Sequence, residues 1–192
     1  MTLPRLKLLP FIFVRHGETF YNFEGRIAGS LDVPLTPKGE AQALTARRLL
    51  ERLENPLVAS STLDRAMTTA RIAMPGRELV TLPGLSERHW GPLEGEPIRD
   101  RMPYQEPMEG VEAWAPFLTR VVLAINEAQA LAEGRPVVIF AHAGVFRAVR
   151  MATQGHLEGK RLPNASPVRL VPPLSEDETQ WALEPMQPDD WV

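Results

Sequence analysis

Apolar and polar positions alternate in two different rhythms along this chain. Continuous apolar runs without polar interruption occur at "LLPFIFV" (8–14) and "PVVIFA" (136–141). Such runs fit strands covered on both faces, where no side of the strand meets water. "NPLVASS" (55–61) and "ELVTL" (78–82) are weaker strand candidates. Between these runs the period lengthens. "TPKGEAQALTARRLLERL" opens with Thr36 as N-cap and Pro37 at the first helical position, and Ala46, Leu49, Leu50 and Leu53 then mark one buried stripe. "TLDRAMTTARIA" (62–73) predicts a shorter helix closed by Pro75-Gly76. The longest is expected over 111–134, with Trp114, Phe117, Leu118, Val121, Ile125 and Ala128 on one face and Gly134 as its stop. A helix after Gly144, two edge-like strands near 167–171 and 180–184, and a tail over 185–192 complete the pattern.

Alternating strands and helices predict an α/β fold, a three-layer sandwich with a mainly parallel central sheet flanked by helices. The 192 residues suit one domain spanning 1–192. Composition narrows the class only slightly. Hydrophobic content of 44% and charged content of 23% are ordinary, and a net charge of −3 gives no reason to expect nucleic acid or an anionic membrane as partner. The absence of cysteine excludes disulfides and thiolate metal sites and is compatible with a cytoplasmic protein. Pro10 and Arg15 interrupt the opening apolar run, which argues against a signal peptide. The 19 prolines cluster over 75–116 and 163–188, where persisting apolar residues indicate stiff loops.

In parallel sheets, ligands bind beyond the carboxyl ends of the strands. There the sequence places Arg15 and His16, Arg65, Glu87 and His142, each after a different apolar run. Gly17 marks a point where another group approaches the backbone closely. Two guanidinium forks suit a tetrahedral oxyanion, and a protonated His142 adds a further donor. His16 can then attack phosphorus through a neutral ring nitrogen, with Glu87 as general acid and later as base. Such a site stabilises phosphoryl charge with fixed side chains and needs no metal or other cofactor. The chain has no G-x-S-x-G elbow, Walker loop, G-x-G-x-x-G turn or H-E-x-x-H helix.

"RHGET" with Asn22, followed by "GRIAGSLDVPLTPKGEAQA", then "STLDRAMTTA", "LSERHWGPLEG" and "VVIFAHAGVFR", resembles the histidine phosphatase superfamily, also called phosphoglycerate mutase-like. "LPNASPVRL" is similar to that family's C-terminal strand, so the likeness covers about 10–171. The resemblance implies His16 as nucleophile, Arg15, Arg65 and His142 as phosphate clamp, Glu87 as proton donor, and Asn22 as a supporting pocket residue. Ala28 and Ala143 depart from the family pattern, Ala143 keeping its backbone N–H for phosphate. The implied partner is a small phosphorylated metabolite, with a homodimer left open.

Three functions remain to be separated: phosphatase, cofactor-dependent mutase, and non-catalytic phospholigand-binding protein. Glu87 argues against the last, since binding alone requires no acid there. The segment after Glu87 carries Arg88, Arg99 and Arg101 against Glu94, Glu96, Asp100, Glu106 and Glu109, which predicts a lid unattractive to a doubly phosphorylated ligand and favours a phosphatase. Specificity is expected from 88–112 and from Phe20, Tyr21 and Phe23 at the mouth. His89 is expected to line the entrance, His156 to be exposed, and Trp90 and Tyr104 to anchor the lid.

Overall fold

A computed structural model describes residues 4–174 and 180–186. Six strands form one sheet: β1 (Phe11–Arg15), β2 (Leu57–Ser60), β3 (Leu79–Thr81), β4 (Val137–Ala141), β5 (Pro167–Val171) and β6 (Ala182–Pro185). Their order is β3-β2-β4-β1-β5-β6. The first four neighbours run parallel, and β5 pairs antiparallel with both β1 and β6. The sheet is therefore mainly parallel, as the alternating pattern predicts. Only one of the two expected edge strands lies at an edge, because β5 is paired on both sides and β6 closes the sheet.

Among the described residues, five α-helices complete the fold: α1 (Phe20–Phe23), α2 (Pro37–Leu50), α3 (Asp64–Ala73), α4 (Trp114–Leu131) and α5 (Ala143–Gln154). Side chains of β1 and β4 sort strictly by the two-residue period of a strand. Phe11, Phe13, Val137, Ile139 and Ala141 meet α4 and α5, whereas Ile12, Val14, Val138 and Phe140 meet α2 and α3. Both faces are buried, which is why these runs show no polar alternation. At roughly 1.5–3 kcal/mol for each fully buried large apolar side chain, these two strands anchor the three layers.

Local chemistry sets the helix ends. The Thr36 hydroxyl accepts from the Gly39 N–H at 3.1 Å, and Pro37 opens α2, as read from sequence. The buried stripe of α2 is Gly39, Ala43, Ala46 and Leu50, turned from the expected one so that Leu49 and Leu53 only flank it. α3 has no side-chain cap of its own. The Asp32 carboxylate supplies one from a distant loop, accepting from the Asp64 N–H at 2.7 Å. α4 starts at Trp114, three residues later than expected, and holds Pro116 in its first turn, where a missing N–H costs little. It ends before Gly134, because Glu133 already takes a left-handed φ of 49°. α5 begins at Ala143 and stops at Gly155, with φ 78°. Of the expected tail, Pro185 closes β6 and Met186 is buried in the sheet's second core, while 187–192 lie outside the described residues.

Gly17 does meet a close neighbour, and it is not a ligand. A Cβ at Gly17 would strike the Gly39 carbonyl oxygen, and one at Gly39 would strike that of Glu18. The loop after β1 packs backbone to backbone on the first turn of α2. Glu18 is drawn to the same place, bonding Thr36 at 3.0 Å and Lys38 at 2.8 Å. No helix among the described residues is long and apolar enough to cross a membrane.

Candidate active site

The parallel pairing of β1 with β4 brings the two histidines together. The His16 N–H donates to the Ala141 carbonyl at 2.9 Å, continuing the ladder one residue past β1. His142 follows β4 as the N-cap of α5, and the two imidazole centres lie 5.2 Å apart. His16 Nδ1 is 2.7 Å from the Gly17 carbonyl oxygen. A carbonyl can only accept, so Nδ1 carries the proton and Nε2 keeps its lone pair. Burial, with Arg65 and Arg15 next in effect, holds the His16 pKa well below its ordinary value. Burial also depresses His142, assisted by Arg65, His16 and Arg15. Both rings are neutral at pH 7 in the free protein.

Arg65 projects from the first turn of α3 and is 1% exposed. Its two terminal nitrogens donate to the carbonyls of Leu31 and Gly29, each at 2.7 Å. Arg15, 3% exposed, donates through Nη1 to the Leu162 carbonyl at 3.0 Å. Desolvation, the neighbouring Arg161 and Arg65 lower its pKa to about 9, against an opposing pull from Glu87. Ser61 Oγ lies 2.6 Å from His142 Nε2. Each of these three side chains thus has one anchored end. Each also has a buried nitrogen with no hydrogen-bond partner among the described residues: Arg15 Nε, Arg65 Nε and His142 Nδ1. Leaving such groups unpaired costs about 1–3 kcal/mol apiece, so their grouping around one imidazole demands a reason.

Glu87 does not follow β3 directly, because a 3-10 turn at Pro83–Leu85 intervenes. Its carboxylate accepts the Gly144 N–H at 3.0 Å and the Arg88 N–H at 2.8 Å. Four residues that the sequence reading did not single out hold this arrangement. Ser61 orients His142. Gly144, inside the "AHAG" segment, admits the Glu87 carboxylate, since a Cβ there would collide with Glu87 Oε1. Arg120 on α4 donates to the carbonyls of Gly84, Ser86 and Glu87 at 2.7–3.1 Å and pairs with the Glu112 carboxylate at 2.7 Å. Asn164 donates to the His16 carbonyl at 2.8 Å and to Asn22 Oδ1 at 3.0 Å. Arg120 had no signal in sequence, because it reaches the site from a distant segment, whereas Asn164 lies inside the quoted "LPNASPVRL".

A cavity of about 270 Å³ opens here, and Arg15, His16, Asn22, Ala28, Arg65, Glu87, Ala143 and Gly144 all line it, whereas His142 is fully buried and is not part of the lining. The lid departs from expectation. Arg88 is 1% exposed and is turned away from the cavity. Its guanidinium lies 4.5 Å from Trp90 and 5.7 Å from Trp114, donating to the carbonyls of Glu112 and Tyr104. Arg101 lies 3.8 Å from Glu106 in the exposed part of the lid, so Arg99 is the lid arginine that reaches the cavity. His89 bonds Ser30 and Glu94 outside the lining. Phe20, Tyr21 and Phe23 do not line it either, and Tyr21 instead lies under Arg26 at 4.2 Å. Trp90 and Tyr104 pack edge to face at 5.5 Å while also facing the cavity, so they both anchor the lid and shape the site. His156 is exposed.

The balance of charge at the mouth is reversed. Counting the lid alone predicts an excess of acids, but the cavity is lined by eight arginines and lysines against two carboxylates, Glu87 and Asp100. The count missed α5 and the loop after it. Among the described residues, no group of three or more His, Asp and Glu is arranged to hold a metal ion. A larger groove, lined largely by apolar side chains such as Leu9, Val137 and Met186, lies at the opposite ends of the strands, away from this chemistry.

Residues 11–171 match the model of the histidine phosphatase superfamily (branch 1). The chain is 33% identical over 174 residues to a metal-independent phosphoserine phosphatase of Arabidopsis thaliana, covering 81% of this chain and 73% of that protein. A shorter match, 40% over 92 residues, joins it to the 2,3-bisphosphoglycerate-dependent phosphoglycerate mutase of Thermobifida fusca, covering 44% and 37% of the two chains. Among solved structures it is similar to a mycobacterial glucosyl-3-phosphoglycerate phosphatase bound to VO3, with TM-score 0.77, 25% identity, and 91% and 96% of the chains covered.

Proposed function

The chain belongs to the histidine phosphatase superfamily, and within it we propose a phosphomonoester hydrolase that acts on a small phosphorylated metabolite through a phosphohistidine at His16. One observation carries this reading: three side chains beside His16, whose Nε2 is a free lone pair, each keep a buried nitrogen without a partner among the described residues, Arg15 Nε, Arg65 Nε and His142 Nδ1. A phosphoryl group supplies the acceptors that these donors lack. Its negative charge raises the pKa of His142, which then donates as an imidazolium. Asn22 and the Ala143 N–H complete the cradle.

In the first step His16 Nε2 attacks phosphorus and the bond to the ester oxygen breaks. Glu87 acts as the general acid in this step, giving a proton to the departing alcohol. The Nδ1–H bond to Gly17 keeps the imidazole ring aimed as it gains the phosphoryl group. In the second step water attacks phosphorus, Glu87 takes the water's proton, the P–N bond breaks, and phosphate leaves. Two guanidinium groups already desolvated by the fold stabilise the charge in both steps. No metal enters this sequence, in keeping with the metal-independent relative in Arabidopsis.

Rapid quenching with labelled substrate is the test. Wild type should carry acid-labile phosphate on His16 and turn over in a chelator, and His16→Ala should lose both phosphoenzyme and at least about 10³-fold in kcat. A His16→Ala enzyme that keeps near-normal turnover overturns the mechanism. The mutase reading is favoured by the match to the Thermobifida protein and by the basic mouth. An enolase-coupled assay separates the two: isomerisation of 3-phosphoglycerate that depends on 2,3-bisphosphoglycerate and outruns phosphate release identifies a mutase.

A further inference from the structure

Beyond the clamp residues Arg15 and Arg65, six more cations line the same cavity: Arg26, Arg99 and a group of four. Arg147 and Arg150 come from α5, and Lys160 and Arg161 from the loop that follows it. Their placement is built. Arg147 Nη1 donates to the Leu157 carbonyl at 3.1 Å, Arg150 Nη2 to the Lys160 carbonyl at 2.9 Å, and Arg15 Nη1 to the Leu162 carbonyl at 3.0 Å. Three arginines thus fasten one loop by its backbone and deliver Lys160 and Arg161 to the cavity. Arg147 is further fixed over the Tyr104 ring at 4.4 Å and Arg150 over Phe146 at 5.1 Å. Gly159 makes room for this packing, since a Cβ there would lie 2.8 Å from Arg150 Cζ.

None of these four cations lies within 4.0 Å of a carboxylate among the described residues, although the whole chain carries a net charge of −3. A positive rim gathered on an acidic protein is self-repulsive until an anion fills it. The repulsion reaches the clamp, because Arg161 ranks next after burial among the influences that lower the Arg15 pKa. A phosphoryl group is already matched by the clamp, so the surplus charge is left for another part of the substrate.

Building on the hydrolase reading above, we infer that the substrate's leaving alcohol carries a second anionic group, a carboxylate or a further phosphate, which Arg147, Arg150, Lys160 and Arg161 receive. The site is then selective for doubly anionic phosphomonoesters, and the rim orients the ester oxygen toward Glu87. Fixed planar guanidinium groups suit either anion, because each offers parallel N–H donors.

Matched substrates test this. Glycerol 3-phosphate, 3-phosphoglycerate and 2,3-bisphosphoglycerate share a carbon skeleton and differ in the charge of the alcohol portion. Phosphate release from ethyl phosphate and phosphoglycolate provides a second pair. Wild type should favour at least one doubly anionic substrate over its neutral partner by tenfold or more in kcat/KM. Preference for 3-phosphoglycerate and phosphoglycolate identifies a carboxylate, and preference for the bisphosphate identifies a second phosphate. In Lys160→Gln/Arg161→Gln, two exposed positions whose replacement spares the core, that ratio should fall at least fivefold, mainly through KM. A hydrolase with no such preference, or a double variant that keeps the wild-type ratio, overturns the inference and leaves the hydrolase reading standing. Absence of both phosphate release and phospho-His16 with every substrate overturns the two together.

Discussion

The cluster at the strand exits and the rim above it solve different problems with similar residues. At the exits, Arg15, Arg65 and His142 are almost wholly buried, each pinned at one end and unpaired at the other. In the rim, Lys160 and Arg161 are exposed, and Arg147 and Arg150 are half-buried on aromatic faces. Burial makes the first set rigid and costly, which suits groups that must meet a transition state without reorganising. Greater exposure leaves the second set screened by solvent, which suits recognition of a leaving group. On the proposed reading, chemistry sits where the sheet holds it, and selectivity sits on α5 and the loop that follows it. Substitutions among the buried groups should depress turnover of every phosphomonoester, whereas rim substitutions should redistribute preference.

Glu87 is where the two regions meet, and it offers the largest test. Glu87→Gln keeps an acceptor for the Gly144 and Arg88 N–H groups and removes the transferable proton. Phosphoenzyme formation from an alkyl ester should fall by roughly 10²–10⁴, and less from an aryl ester whose leaving group needs little protonation. Stopped-flow comparison of the two esters decides it, and equal losses would remove Glu87 from the acid's role. Gly144→Ala should act next most strongly. The new methyl would displace the Glu87 carboxylate, so kcat should drop on the order of 10²-fold while the fold is retained. Near-wild-type kcat would show that the α5 N-terminus does not position the acid.

The smallest expected effect is on stability, and its sign follows from the depressed histidines. His16 and His142 stay neutral in the folded protein, whereas in the unfolded chain each takes up a proton near pH 6.5. The unfolded state therefore binds more protons on acidification. Stability should be level in these two groups above pH 6.5 and should decline as pH falls below it, by about 1.4 kcal/mol per pH unit for each histidine. Urea unfolding between pH 7.5 and 5.5 measures the slope, and His142→Asn should reduce it by about half. A level profile in wild type would mean that the buried rings accept protons in place.

Much of the buried region was readable from the order of residues. Unbroken apolar runs at 11–14 and 137–141 identify strands covered on both faces, because only such strands need no polar alternation. Thr36-Pro37 marks the start of α2 because capping and proline geometry act within one turn. Arg15, His16 and His142 stood out as candidates because each sits in a short motif at a strand's exit, and Arg65 and Glu87 because their motifs lie in the segments after β2 and β3. Other features depend on contacts between segments that no local pattern records. Gly17 signals a close approach, but only packing reveals that the neighbour is Gly39 and not a ligand. Asp32 caps α3 from 32 residues away, and Asn164 ties His16 to Asn22 across the sheet. The charge at the mouth misled a reading by segment for the same reason. Arg88 looks like a lid cation but is buried against Trp90, while Arg147, Arg150, Lys160 and Arg161 arrive from residues far beyond the lid. The sequence by itself determined which strands are buried and which charged residues stand at the candidate site, because those depend on local periodicity and motif. Tertiary structure alone decided which donors stay unpaired and which cations face the cavity, because desolvation and electrostatic fields depend on distances in space and not along the chain.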